Sequence, residues 1–164
     1  MRFSRIIWVL LPLVLSTGCG YTADRPFSGQ LTTVHVEMFR THDFRRDLEF
    51  RLTEAVVKRI EMDTPYRIAT RKNADSVLTG EVVEVREATL GIDSRTDLPI
   101  ETATSFVVSF RWLDLRSGKI MAQRKQLPYT TTYIRPVGES FFDSAVRGLD
   151  GLAERIVECM ESEW

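Results

Sequence analysis

The succession of apolar patterns along this chain predicts an α+β fold. One strand and one helix are followed by several strands and a closing helix. Two helices with a single apolar stripe each need a common surface, and the larger apolar face of a sheet supplies it. The expected architecture is a two-layer sandwich: two amphipathic helices packed on one face of a largely antiparallel sheet of four or more strands. Two segments carry this reading most directly. In residues 102–114, Phe106, Val108, Phe110 and Trp112 alternate with Ser105, Val107, Ser109 and Arg111, the period of a half-buried strand. In residues 142–164, Phe142, Ala145, Val146, Leu149, Leu152, Ala153, Ile156, Met160 and Trp164 recur at helical spacing.

Taken in order, the chain begins with Arg2 and Arg5 and an apolar run over residues 6–15. The run is about ten residues, whereas a membrane-spanning helix needs ~20. A basic n-region, a short apolar core and the small residues Ser16, Thr17 and Gly18 make residues 1–18 a secretory signal. Cys19 ends that small-residue stretch, so it reads as a lipobox cysteine. The signal would be cut before Cys19, which would carry a covalent N-terminal lipid (diacylglycerol and an amide-linked acyl chain such as palmitate). Several chains are required, since one alone binds a bilayer only marginally. The competing account is an ordinary signal peptide with an unrelated cysteine. Residues 19–30 form the lipidated N-terminus and a tether with little to pack, apart from Tyr21 and Phe27. Residues 31–164 make a single α+β domain.

Within that domain, residues 31–39 read as the first strand, with Val34, Val36 and Met38 alternating with Thr33, His35 and Glu37. Thr41 or Asp43 then caps a helix of about five turns, whose stripe is Phe44, Leu48, Leu52, Ala55, Val56 and Ile60. Pro65 closes it. Residues 66–70 form a short edge strand, and 71–73 turn out of it. Residues 74–88 form a longer strand whose apolar phase shifts at Val82-Val83, as a β-bulge produces. Residues 89–101 read as a polar loop. A turn at residues 115–118 leads into a polar return strand whose basic side chains suit an exposed edge. Ser140, with Asp143 three residues on, opens the last helix as a capping box variant. Gly148 and Gly151 within it allow a neighbouring backbone to come close.

Charge and cysteines limit what the domain does. The net charge is −1, and −3 once the two signal arginines are discounted. This excludes the basic profile of a nucleic-acid binder. With Cys19 acylated, Cys159 has no partner within the chain and reads as a small hydrophobe on a packed helix. No residue set supports catalysis or a metal. His35 and His42 lack the i, i+4 helical spacing of a zinc pair. Asp93, Asp97 and Glu101 lack the spacing of a calcium loop. Ser140 lies outside any G-x-S-x-G elbow and is explained by capping. Glu81 and Glu84 fall on opposite faces of a regular strand. What remains is binding. Arg116, Lys119, Arg124 and Lys125 gather positive charge on one hairpin of an acidic protein. Such a cluster would hold the phosphates of a lipid headgroup such as lipopolysaccharide, or it only solvates an edge strand.

Five stretches resemble the LptE family, the lipoprotein partner of the outer-membrane lipopolysaccharide-assembly barrel. They are Cys19-Gly20-Tyr21, Val34-x-Val36-x-x-Phe39, Leu48-x-x-x-Leu52-Thr53-x-Ala55, Ala74-Asp75-x-Val77-Leu78-x-Gly80-Glu81-Val82 and Leu152-Ala153-x-x-Ile156-Val157. The resemblance implies two helices on a four-stranded sheet, no enzyme activity and no cofactor beyond the lipid on Cys19. It further implies a role as plug or chaperone in a β-barrel partner of LptD type, with lipopolysaccharide as cargo. Gly20 lacks the aspartate that retains many lipoproteins at the inner membrane, so the implied location is the periplasmic side of the outer membrane. The Ala74 to Gly80 stretch is also similar to lipoproteins that activate a peptidoglycan synthase or build a secretion assembly, which is the alternative function.

Overall fold

The structure is a computed structural model that describes residues 27, 30–41, 45 and 47–161. The signal, Cys19, Tyr21, His42, Asp43, Phe44 and Trp164 lie outside the described residues. Among the described residues six strands form one sheet: β1 Thr33–Val36, β2 Arg40–Thr41, β3 Arg67–Ile68, β4 Ser76–Ile92, β5 Pro99–Asp114 and β6 Ile120–Ile134. The strand order is β3-β1-β4-β5-β6, with β2 also paired to β4. The helices α1 Leu48–Asp63 and α2 Phe141–Glu158 pack on one face. The α+β sandwich is therefore as expected, but the sheet is mixed. The long ladders β4–β5 and β5–β6 are antiparallel, while β1–β3, β1–β4 and β2–β4 are parallel. The reason is connectivity: α1 is a crossover that returns the chain in the same direction beside β1.

The helix-facing side of β5 carries Phe106, Val108, Phe110 and Trp112, all buried, and packs under Leu48, Leu52, Val56 and Ile60 of α1 and Leu149, Leu152 and Ile156 of α2. Even the buried indole has its partner: Trp112 Nε1–H donates to Ser76 Oγ at 3.0 Å, and Ser76 in turn donates to the Thr33 carbonyl. Tyr66 packs against Trp112 with ring centroids 5.4 Å apart, and Phe27 meets Tyr66 edge-on at 5.7 Å. The tether's Phe27 is thus held against the domain. Half-buried Cys159 packs against the core, as a small hydrophobe would.

Several local expectations change. The first strand stops at Val36, because residues 37–39 leave the pleat to bury Phe39 and expose Met38. The Phe39 N–H donates to Thr53 Oγ1 at 3.0 Å, and that hydroxyl donates to the Glu49 carbonyl, so the strand break is fastened to α1. Thr41 belongs to β2, and α1 starts at Leu48, after Asp47 at φ 72°. Residues 89–101 are mostly strand, since β4 and β5 run on to a short turn at residues 93–98. Pairing there continues through Thr89↔Thr102 and Gly91↔Glu101, which polar composition had hidden. The β-bulge falls at Val83 as the sequence predicts. It also swings Val85 onto the core side, opposite Phe106. Finally, Gly148 and Gly151 make room for aromatic rings and not for backbone. A Cβ on either would lie 2.5 Å from the Phe106 ring or 2.2 Å from the Tyr129 ring.

Candidate binding surfaces

Two surfaces of the described fold offer recognition chemistry, and they lie at different levels of the sheet. The first is a concavity of about 540 Å³ on the sheet face away from the helices. The bulge at Val83 on β4 and a second register shift in β6, between the pairs Val108↔Leu127 and Phe110↔Arg124, bracket this level of the sheet. A bulge bends its strand and strengthens the local twist. Arg40, Arg111, Arg124 and Lys125 line the hollow, with Glu37 and Glu81 among them. Glu37 pairs with Arg71. Arg40, Arg111 and Lys125 make no ion pair within the described residues.

The four basic residues singled out from sequence are therefore divided. Arg124 and Lys125 stand together in the concavity, joined by Arg40 and Arg111. Arg116 and Lys119 sit in the β5–β6 turn. Arg116 is ion-paired with Asp75, while its N–H donates to Asp114 Oδ1 at 2.8 Å. The Asp75 carboxylate also accepts from the Thr32 hydroxyl at 2.7 Å, the Thr32 N–H at 3.0 Å and the Thr33 N–H at 3.1 Å. These bonds, led by the Thr32 hydroxyl and N–H and then Arg116, hold Asp75 far below the usual carboxylate range. Arg116 is thereby part of the clamp that fastens β1 to the hairpin. Arg111 and Arg40 were missed because no sequence spacing joins them to Arg124; only strand register does. The pairs Arg40↔Glu81 and Glu81↔Ser109 and, two residues along β5, Arg111↔Gln123 beside Arg124 set them in one band across the sheet.

The same register corrects the reading of Glu81 and Glu84. The Val83 bulge puts both on the open face, opposite Ser109 and Val107. Glu84 is ion-paired with Arg86. His35 donates from Nδ1 to the Ala69 carbonyl at 3.0 Å, a structural bond between β1 and the residue after β3. Asp93 organises the β4–β5 turn, accepting from the Arg95 N–H at 2.8 Å. Ser140 opens α2 as expected, with its N–H and hydroxyl both donating to Asp143, whose carboxyl is held low chiefly by the Ser140 hydroxyl. Among the described residues no group of three or more potential metal ligands occurs, and no helix is long and apolar enough to cross a membrane.

The second surface is the β4–β5 tip. Leu90, Ile92, Leu98, Ile100 and, beside them, Ile134 and Val137 are exposed large hydrophobics. Single exposed apolar residues are ordinary, but a contiguous group marks contact with protein or lipid.

Comparison with known proteins follows the fold. The family model described as LptE, lipopolysaccharide-assembly, matches residues 31–158. No curated protein matches the chain by sequence. Solved structures of the same fold include a hypothetical protein of Chlamydia trachomatis, at TM-score 0.53 and 15% identity, over 77% of this chain and 93% of that one. The PelC dodecamer of Paraburkholderia phytofirmans gives 0.51 and 18%, over 84% and 94%. The uncharacterized lipoprotein B of Nitrosomonas europaea gives 0.53 and 9%, over 78% and 81%.

Proposed function

The chain belongs to the LptE family of lipopolysaccharide-assembly proteins, and we propose that it is a non-catalytic subunit, plug or chaperone, of an outer-membrane lipopolysaccharide translocon. Cys19 carries the lipid that anchors it on the periplasmic side of the outer membrane. Its partner is a β-barrel of LptD type, and its cargo is lipopolysaccharide. The observation that carries this reading is the extent of the family match, which spans β1 to the end of α2. The two surfaces support it in kind. Arg124 and Lys125 suit the phosphates of the cargo, with Arg116 and Lys119 at the neighbouring turn. The apolar tip suits a boundary with lipid or barrel wall.

In-envelope cross-linking of the full lipoprotein, followed by mass spectrometry, tests the proposal. Recovery of a large outer-membrane barrel is expected, and its absence rejects the role. The dodecamer formed by PelC supports a second reading, a part in a secretion assembly, for which the cross-linked species would be a ladder of this chain alone. Co-purification of a peptidoglycan synthase activated by this protein would instead select the regulatory alternative.

A further inference from the structure

Past its contacts with β1 and β2, β4 has β5 on one side and, among the described residues, no strand on the other. Between the bulges at Val83 and Leu90 it pairs with β5 without interruption, from Glu84↔Val107 to Thr89↔Thr102. Six regular residues make an edge about 20 Å long. Register tells which backbone groups face outward. The Glu37 N–H donates to the Leu78 carbonyl, so the groups of Leu78 turn away from β5. Orientation alternates along a strand, and the extra residue at Val83 shifts the alternation by one. The outward groups beyond the bulge are therefore the N–H and C=O of Val85, Glu87 and Thr89. None of them bonds to a described residue outside the sheet. The β6 edge is treated differently: Arg155, Arg147 and Glu139 hold outward groups there, and Pro128 removes one.

Three occupants compete for such a row, and its surroundings separate them. Lipid cannot take it, because N–H and C=O groups find no partners in hydrocarbon. A second copy fits poorly. A twofold axis through an antiparallel pair sets one residue opposite its own copy. The registers that use most of this run set Arg86 against Arg86 or Glu87 against Glu87, and like charges directly opposed are unfavourable. What remains is an extended segment of a different protein, whose own N–H and C=O groups complete the row as an added strand. The edge also sets the chemistry of that segment. Arg86 is already paired with Glu84, and Glu87 with Arg45, so no charge is left to match. Val85, Ala88 and Thr89 are small or apolar, and exposed Leu90 and Ile92 follow them. We infer that the β4 edge from Glu84 to Thr89 binds an uncharged strand of a partner protein, with alternating apolar residues, by β-strand addition. That this partner is the barrel rests on the assembly reading above, but the edge is defined by its own backbone.

The test titrates the full, isotope-labelled lipoprotein in detergent with a capped hexapeptide of alternating threonine and valine. The amide resonances of Val85, Glu87 and Thr89 should shift, and their hydrogen exchange should slow. A fully N-methylated peptide, which has no donors, should bind about tenfold more weakly or worse. Thr89→Pro removes one outward N–H and spares the β5 ladder, so it should also weaken binding about tenfold. Thr89→Val keeps that N–H and should stay within about twofold. Circular dichroism checks that both variants fold, and if Thr89→Pro does not, the N-methylated peptide decides alone. Equal binding of the two peptides, equal binding by the two variants, or shifts confined to other elements overturns the assignment. In a recovered barrel complex the same three amides should exchange slowly. If the barrel is recovered and they stay fast, the edge assignment falls and the assembly role stands. If the peptide adds to this edge but no barrel is recovered, the assembly role falls and the edge stands.

Discussion

At the scale of single residues, the tightest constraints are places where a side chain occupies the space a Cβ would take. A Cβ on Gly80 would lie 2.2 Å from the Phe39 ring, whose own position is fixed by complete burial and by its N–H bond to Thr53. A Cβ on Gly151 would lie equally close to Tyr129, but there the clash is with the hydroxyl end of a half-buried side chain. Overpacking a core costs about 1–3 kcal/mol, whereas alanine for glycine inside a helix returns up to ~1 kcal/mol. Gly80→Ala, in a strand beneath a locked ring, is expected to fall at the upper end of that range. Gly151→Ala is expected to be close to neutral, because Tyr129 can swing outward. Denaturant unfolding of both variants checks the order, and an equal loss would show that Tyr129 is as fixed as Phe39. The carboxylates give a second residue-level expectation. Asp75, Asp114 and Asp143 are all held below their ordinary value of 3.8, by Thr32, Ser117 and Ser140 first. In the unfolded chain they protonate first as pH falls, so their contribution is complete above the ordinary value and is lost progressively below it. Unfolding midpoints should therefore drop steeply below about pH 4, and less steeply in Asp75→Asn, which has already lost the titrating group. An identical acid slope in that variant would remove Asp75 as its source.

At the scale of elements, β6 shows how an edge is closed. Three of its outward backbone groups between residues 128 and 134 are clasped by side chains, and a fourth is missing. Pro128 has no N–H, and its carbonyl accepts from Arg155 at 3.0 Å. The Thr132 carbonyl accepts from Arg147 at 2.7 Å, and the Ile134 N–H donates to Glu139 at 2.8 Å. Arg147 and Glu139 are themselves paired at 3.1 Å. An incoming strand would meet an interrupted row of free groups there. Replacing Arg147 and Arg155 with alanine should change stability by under about 1 kcal/mol, as exposed contacts do. It should promote concentration-dependent self-association in sedimentation, and a strictly monomeric variant would show that Pro128 suffices. The edge position of β6 was legible from its polar residues, but these clasps were not, because Arg147 and Arg155 look like ordinary solvated helix positions. The same contrast runs through the fold. The stripes of α1 and α2 and the buried face of β5 follow from periodicity, since one face of each meets the core. The early end of β1 does not, because Phe39 is buried from outside the strand. The far halves of β4 and β5 were hidden because both their faces meet solvent, and the brief alternations Leu90-Gly91-Ile92 and Leu98-Pro99-Ile100 are split by the polar turn between them. The basic concavity was half legible: Arg124 and Lys125 are neighbours in sequence, whereas Arg40 and Arg111 join them only through register across two bulges.

At the scale of the whole molecule, the sheet has a packed end and a bare end. Phe27, Tyr66 and Trp112 stack at the packed end, where the chain enters the domain. Residues 20–26 separate Cys19 from Phe27, a reach of at most about 25–30 Å. At the bare end β4 and β5 run past the helices, and Leu90, Ile92 and Leu98 expose more than half their surface. Because these three side chains are so exposed among the described residues, they contribute little to folding, and changing them isolates what they do for a partner. Ile92→Thr combined with Leu98→Thr should leave unfolding free energy within about 0.5 kcal/mol per substitution, the usual range for surface sites. Hydrogen exchange should agree, with slow amides at Val77, Leu78, Phe106 and Trp112 and fast ones at residues 89–101. If the tip meets a barrel wall or lipid, the same double variant should lower the yield of the cross-linked barrel while the Arg111→Ala variant leaves it intact. A loss of stability above 1 kcal/mol would mean that the tip packs within the domain. An unchanged cross-linking yield would place the barrel contact elsewhere on the molecule.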